Sequence, residues 1–188
     1  MKRILWSTVF PSPYPAAHGS RYIIPIFLPF SGCARRCIFC DQRLQSGQEE
    51  RSAAAALEQA AGRIDAAAAQ GQDAGAGMGG APEIAFYGGT FTALADDEFR
   101  ACLEFVRAHL DLGRISAARC STRPDKLDGA RLAAMRAAGI SLVELGVQSF
   151  QDRALECAGR GYGGAAALDA CAAVKEAGFA LGIQLMPG

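Results

Sequence analysis

The chain has 188 residues and 51% of them are apolar, so it can bury a core, and disorder throughout is excluded. Nineteen Lys and Arg balance nineteen Asp and Glu, so the net charge is zero and no general polyanion-binding surface is implied. No run approaches about 18 apolar residues, which excludes a membrane-spanning helix, and the apolar start from Ile4 to Phe10 is too short and broken for a signal peptide.

Pro11, Pro13 and Pro15 mark residues 1–21 as an irregular arm. Tyr22 to Phe30 is dense in Ile, Phe and Leu and predicts a buried strand. Pro25 and Pro29 favour the edge of a sheet. Ser31 to Gly47 is a loop carrying Gly32, three cysteines and the arginines Arg35, Arg36 and Arg43. The chain uses Arg throughout and has only three Lys, so these arginines read as solvated loop charges. Ser52 to Gln70 predicts a helix with Leu57 and Ile64 on one face. Residues 71–80 hold five glycines and predict a flexible linker.

From Glu83 onward the pattern is regular. Glu83 to Tyr87 predicts a strand ending at Gly88-Gly89. Asp96 to Leu110 predicts a helix, with Phe99, Leu103, Val106 and Leu110 spaced by three and four. Ile115 to Ser121 predicts a strand, and Asp128 to Ala138 a helix stopped by Gly139. Ser141 to Val147 predicts a strand. Helical stretches follow from Gln151 and from Ala165 to Ala177, and Phe179 to Met186 predicts a last strand. Alternating strands and helices imply a parallel sheet. The apolar strand runs imply cover on both faces. An open Rossmann-type sheet and a β/α barrel both satisfy this pattern, although no G-x-G-x-x-G follows a strand. The last strand has nothing after it to cover it, so a truncated domain is expected.

Seven cysteines is an odd number, which argues against a closed disulfide framework. Cys102, Cys120, Cys157 and Cys171 are scattered through apolar surroundings and read as small buried hydrophobes. Cys33, Cys37 and Cys40 fall within eight residues. Three thiolates leave a tetrahedral zinc, or one iron of a four-iron cluster, open to an outside group. An open iron–sulfur cluster, a zinc site completed by His18, and chance clustering all remain at this point.

The loop Cys33-Ala34-Arg35-Arg36-Cys37-Ile38-Phe39-Cys40 resembles the signature of radical S-adenosylmethionine (SAM) enzymes. Other segments match in the same order: Tyr87-Gly88-Gly89-Thr90-Phe91, Ser121-Thr122-Arg123-Pro124-Asp125, Glu144 to Phe150, and Arg160-Gly161-Tyr162. The likeness is to the Elp3-like and coproporphyrinogen-dehydrogenase-like branches and runs from about Tyr22 to Gly188.

The resemblance implies an α/β fold, a partial β/α barrel with about five of six parallel strands present. It would occupy residues 22–188 and be incomplete at its C-terminal end. It implies that Cys33, Cys37 and Cys40 ligate a [4Fe–4S] cluster whose fourth iron binds SAM. Gly88, Gly89 and Thr90 would meet the methionyl amine through backbone, Thr90 standing where a Glu is usual. Gln148, Arg160 and Gln184 would hold the ribose and carboxylate of SAM, and Tyr162 stands where Elp3-like proteins tend to have His. The implied activity is one-electron cleavage of SAM to a 5′-deoxyadenosyl radical that abstracts hydrogen from a substrate. The implied partners are a flavodoxin or ferredoxin as electron donor, and a tRNA or small molecule as substrate. A cytoplasmic location is expected. A non-catalytic metal module and a non-functional fragment are the alternatives.

Overall fold

The computed structural model describes residues 22–34, 36–42, 44, 47, 52–73 and 80–186. The arm over residues 1–21, with His18, and the loop residues Arg35 and Arg43 lie outside the described residues. The short apolar segments become strands β1 (Ile23–Phe27), β2 (Glu83–Tyr87), β3 (Ala117–Thr122), β4 (Ile140–Gln148) and β5 (Ala180–Leu185). Between them lie α1 (Ala53–Asp73), α2 (Asp96–Asp111), α3 (Gly129–Ala138), α4 (Asp152–Cys157) and α5 (Gly164–Glu176). Helix α1 takes in the first three residues of the predicted linker, and residues 74–79 of that linker lie outside the described residues.

All neighbouring strands pair in parallel, in the order β1-β2-β3-β4-β5. A doubly wound sheet reverses its strand order at a switch point. This sheet never reverses, so the arrangement is that of a partial β/α barrel. The proline-bearing β1 is an edge strand, and the carbonyl of Pro25 accepts a hydrogen bond from Arg63 of α1.

One face of the sheet is apolar. Ile24, Ile26, Ile84, Phe86, Ala118, Cys120, Val143, Leu145 and Val147 are all buried there. They form one core with Leu57 and Ile64 of α1, Phe99 and Val106 of α2, Met135 of α3 and Val174 of α5. At roughly 25 cal/mol per Å² of apolar area removed from water, this layer is the main stabilising term. Local signals agree with it. The Asp128 carboxylate caps α3 by accepting from the N–H groups of Ala130 and Arg131, and Gly139 ends that helix at φ 95°.

The other face departs from the expectation of apolar cover. Period-two alternation places Glu83, Arg119, Glu144 and Gln184 on it. Arg119 donates to both Glu83 oxygens at 2.7 Å and to Glu144 at 3.3 Å. Ser121 and Gln184 donate to the other Glu144 oxygen at 3.2 and 2.9 Å. Hydrogen bonds and the charge of Glu83 hold the Arg119 guanidinium protonated well above its ordinary range. Burial and the Glu144 carboxylate push the Tyr87 phenol up. Among the described residues, no helix is long and apolar enough to cross a membrane.

The scattered cysteines divide. Cys102 and Cys120 are fully buried, Cys171 is half-buried, and Cys157 is exposed, contrary to its expected burial. In α4, Leu155 takes the inward position and Cys157, at the helix end, faces out. Burial pushes the Cys102 thiol up to about 12, and the Cys120 thiol is also raised.

Two outcomes are expected. Under native conditions iodoacetamide modifies Cys157 first, while Cys102 and Cys120 react only after unfolding, as peptide mass spectrometry will show. Arg119→Ala leaves the buried Glu83 carboxylate without its cation and costs about 3–5 kcal/mol in urea unfolding.

Candidate cofactor site

Parallel strands deliver their C-terminal ends to one rim, where β/α folds place ligands. The loop after β1 is fixed there by its contact with the turn after β2. The Thr90 N–H donates to the Ser31 carbonyl at 2.8 Å. Gly89, at φ 65°, lies so close that a Cβ would fall 2.2 Å from that same oxygen, and one on Gly32 would fall 2.4 Å from the Thr90 carbonyl. The two segments therefore touch backbone to backbone, as only glycine allows. Phe91 anchors the turn from below, its ring centroid 4.8 Å from that of Phe86 and 5.5 Å from that of Phe99.

A cleft of about 410 Å³ opens at this rim. Cys33, Cys37, Cys40, Gly88, Gly89, Gln148, Arg160 and Gln184 all line it. Thr90 does not: it is fully buried, and its hydroxyl lies 3.2 Å from the Cys33 sulfur. Its side chain holds a cysteine rather than facing a ligand. The N–H of Gly89 donates to the Gln42 side-chain oxygen at 3.0 Å. With that donor and the Thr90 N–H both taken, carbonyl oxygen is what this turn presents to an amine.

Gln148 ends β4 at φ 69°, a left-handed conformation that costs a non-glycine residue roughly 1–2 kcal/mol. The β4–β5 register shifts between Gly146 and Gln148 at the same place. Strain kept at a cleft wall fits a side chain aimed for binding. Gln184 is exposed at the cleft edge and donates to Ser121 and Glu144.

Arg160 is only 4% exposed and is fully engaged. Its Nη1 donates to the Cys37 sulfur at 3.0 Å, its Nε to the Tyr162 hydroxyl at 3.0 Å, and its Nη2 to that hydroxyl and the Gly146 carbonyl. Tyr162 in turn donates to the Gly146 carbonyl at 3.0 Å. Arg123 also reaches Cys37, at 3.5 Å. Sequence reading quoted the segment containing Arg123 and missed its contact, and it missed Gln42 altogether. Arg36 is exposed as expected, with its guanidinium 4.2 Å over the Phe30 ring.

The three cysteines are free thiols on one cleft. Among the described residues, no three His, Cys, Asp or Glu side chains are gathered as a ready-made metal cage. Burial raises the Cys40 thiol, the neighbouring Cys37 and Cys33 raise it further, and a hydrogen bond with Gln42 lowers it. The donor chemistry fits a group held by three thiolates, with two guanidinium groups offsetting their charge.

Because ligation needs thiolates and the Cys40 thiol is raised, loading releases protons and improves as pH rises. Loading of a metal group held by these thiolates is expected to be more complete at pH 8.5 than at pH 7.0, by visible absorbance and metal analysis. Gln148→Gly removes the strained side chain; it is expected to leave the urea midpoint unchanged or raised while weakening ligand binding, by parallel unfolding and calorimetric titrations.

Comparison with known proteins gives the family and supports the fold. Residues 27–188 match the family model described as the radical SAM superfamily. The mitochondrial radical S-adenosyl methionine domain-containing protein 1 of Mus musculus is 27% identical over 158 residues, covering 83% of this chain and 34% of that protein. Coproporphyrinogen III oxidase from Escherichia coli superposes with a TM-score of 0.60 at 20% identity, covering 89% of this chain and 38% of that one. Elp3 from Methanocaldococcus infernus, lacking its N-terminus, gives 0.58 at 19% identity, covering 89% and 38%. The chain thus spans little more than a third of the length of these relatives. On the family match and the shared fold, the chain belongs to the radical SAM superfamily.

Proposed function

We propose that this chain forms the catalytic core of a radical SAM enzyme. The observation that carries the reading is the meeting, in one cleft, of three free cysteines with Gly88, Gly89, Gln148 and Arg160. Cys33, Cys37 and Cys40 would hold a [4Fe–4S] cluster, which supplies one electron for cleavage of SAM to methionine and a hydrogen-abstracting 5′-deoxyadenosyl radical. The chain's own residues bind and orient. The carbonyls of the Gly88-Gly89 turn accept from the methionyl amine. Arg160 exchanges its Tyr162 and Gly146 partners for the SAM carboxylate, which it can hold with two parallel hydrogen bonds. Gln148 and Gln184 take the ribose hydroxyls. The sheet floor beneath the rim shields the reacting atoms from water on that side.

The electron comes from a flavodoxin or ferredoxin, and the substrate is a tRNA or a small molecule. The protein works in the cytoplasm.

Anaerobic reconstitution with iron and sulfide is expected to give about four iron per chain. Cys37→Ala should abolish the broad visible absorbance, and Cys157→Ala should keep it. The reduced protein should release 5′-deoxyadenosine from SAM, measured by chromatography. Arg160→Ala, at matched iron content, should weaken SAM binding by roughly 1.5–3 kcal/mol, the range for hydrogen bonds to charged groups. Stoichiometric zinc without sulfide would refute the proposal.

A further inference from the structure

Two guanidinium groups converge on the Cys37 sulfur, and they are held differently. Arg160 has otherwise neutral partners, the Tyr162 hydroxyl and the Gly146 carbonyl. Arg123 has a carboxylate. Its Nε and Nη2 donate to the two Asp125 oxygens at 2.8 and 3.1 Å, and Nη2 also donates to the main-chain carbonyl of Arg160. Its guanidinium lies 5.5 Å over the Tyr162 ring, and the residue is 8% exposed. Asp125 thus grips the Nε–Nη2 edge and leaves Nη1 turned to Cys37, 3.5 Å from the sulfur.

The difference in partners decides which arginine can move. Arg160 gains by exchanging a hydroxyl and a carbonyl for an anionic ligand, because charge-assisted bidentate pairs are the stronger ones. Arg123 already has such a pair and gains nothing by turning. Burial of the guanidinium makes its pKa fall, but the hydrogen bonds and charge of Asp125 outweigh this and hold it protonated.

We infer that Arg123 is the fixed hydrogen-bond donor to Cys37, and that it sets how readily a cluster ligated by Cys37 accepts an electron. The inference rests on the cluster reading of the cysteine loop. Reduction adds one negative charge to the cluster and its thiolates. An N–H aimed at a ligand sulfur stabilises that added charge, and hydrogen bonds to the sulfurs are an established lever on cluster potential. Asp125 weakens the long-range field of Arg123 but faces its other edge. What remains at Cys37 is a short-range oriented donor in a site where water screens little.

The test uses the full 188-residue chain, reconstituted anaerobically and titrated with dithionite, which delivers single electrons through its sulfur dioxide radical anion, in the presence of mediator dyes. The reduced cluster is followed by electron paramagnetic resonance. Arg123→Gln is expected to match the parent in iron and sulfide content and to lower the equilibrium constant for reduction about tenfold, equal to about 59 mV for one electron. The shift should persist when SAM is added, because Asp125 keeps Arg123 on the sulfur whatever partners Arg160 takes. An unchanged potential at full iron content overturns the inference, and a shift that vanishes with SAM overturns the fixed role. If Arg123→Gln loses its cluster, Arg123→Lys is measured instead. Its ammonium has no fork with which to hold Asp125 on one edge and aim a separate nitrogen at Cys37, so a shift of the same sign is expected. Loss of iron from both variants, with parental helix content by circular dichroism, would make Arg123 a brace and overturn the inference. A parent that binds only zinc fails the cluster reading itself, which the metal and sulfide assay shows before any potential is read.

Discussion

Parallel pairing without reversal is the constraint from which the cleft follows. Each parallel connection must carry the chain back across the sheet before the next strand begins. The C-terminal ends of β1 to β5 therefore share one rim. The cysteine loop, the Gly88-Gly89 turn, Arg123, Gln148 and Gln184 each follow or close a different strand, and they meet only because every strand runs the same way. The covalent spacing between them is irrelevant to the site: Arg123 and Cys37 are 86 residues apart.

Within that frame, the cysteine loop takes its position from its neighbours more than from its own regularity. Ser31 is tied to Thr90 through backbone, Cys33 to the Thr90 hydroxyl, and Cys37 to two arginines from distant segments. The tightest point is Gly89 against the Ser31 carbonyl, where any side chain would meet backbone. The glycine pair thus has two jobs. Gly89 lets two loops touch, and Gly88 leaves the cleft wall bare. Motif logic assigns both to the cofactor, whereas the packing assigns at least one to the protein.

Much of this was legible in the sequence. The alternation of elements, the edge position of the proline-bearing strand and the order of the motifs all follow from local patterns, and so does the helix stop at Gly139. The partners of those motif residues do not. Arg123 looks like one more arginine in an arginine-rich chain until Asp125 orients it toward Cys37. Gln42 gains its place through contacts that no local pattern announces, among them the N–H groups of Phe30 and Gly89 and the Cys40 thiol. The charged sheet face could have been read. Arg119 and Ser121 alternate with Ala118 and Cys120, and Glu144 interrupts an apolar run, both period-two signs of a face not covered by helices.

That charged face also bears on what the barrel interior is for. In a β/α barrel whose interior is core, layers of bulky branched side chains fill the lumen. Here the inner positions of β2 to β5 include Glu83, Arg119, Ser121, Glu144 and Gln184, with Gly146 and Gly182 among them. Gly182 gives Glu144 its space, since a Cβ there would come within 3.0 Å of the glutamate side chain. Partly buried ion pairs contribute little net stability, because desolvation offsets their attraction. A packed apolar interior would serve stability at least as well. Small residues and a hydrogen-bonded polar network instead form the floor beneath the rim. The apolar face under the helices carries the stability, and the inner face is left to hold the cleft open above it.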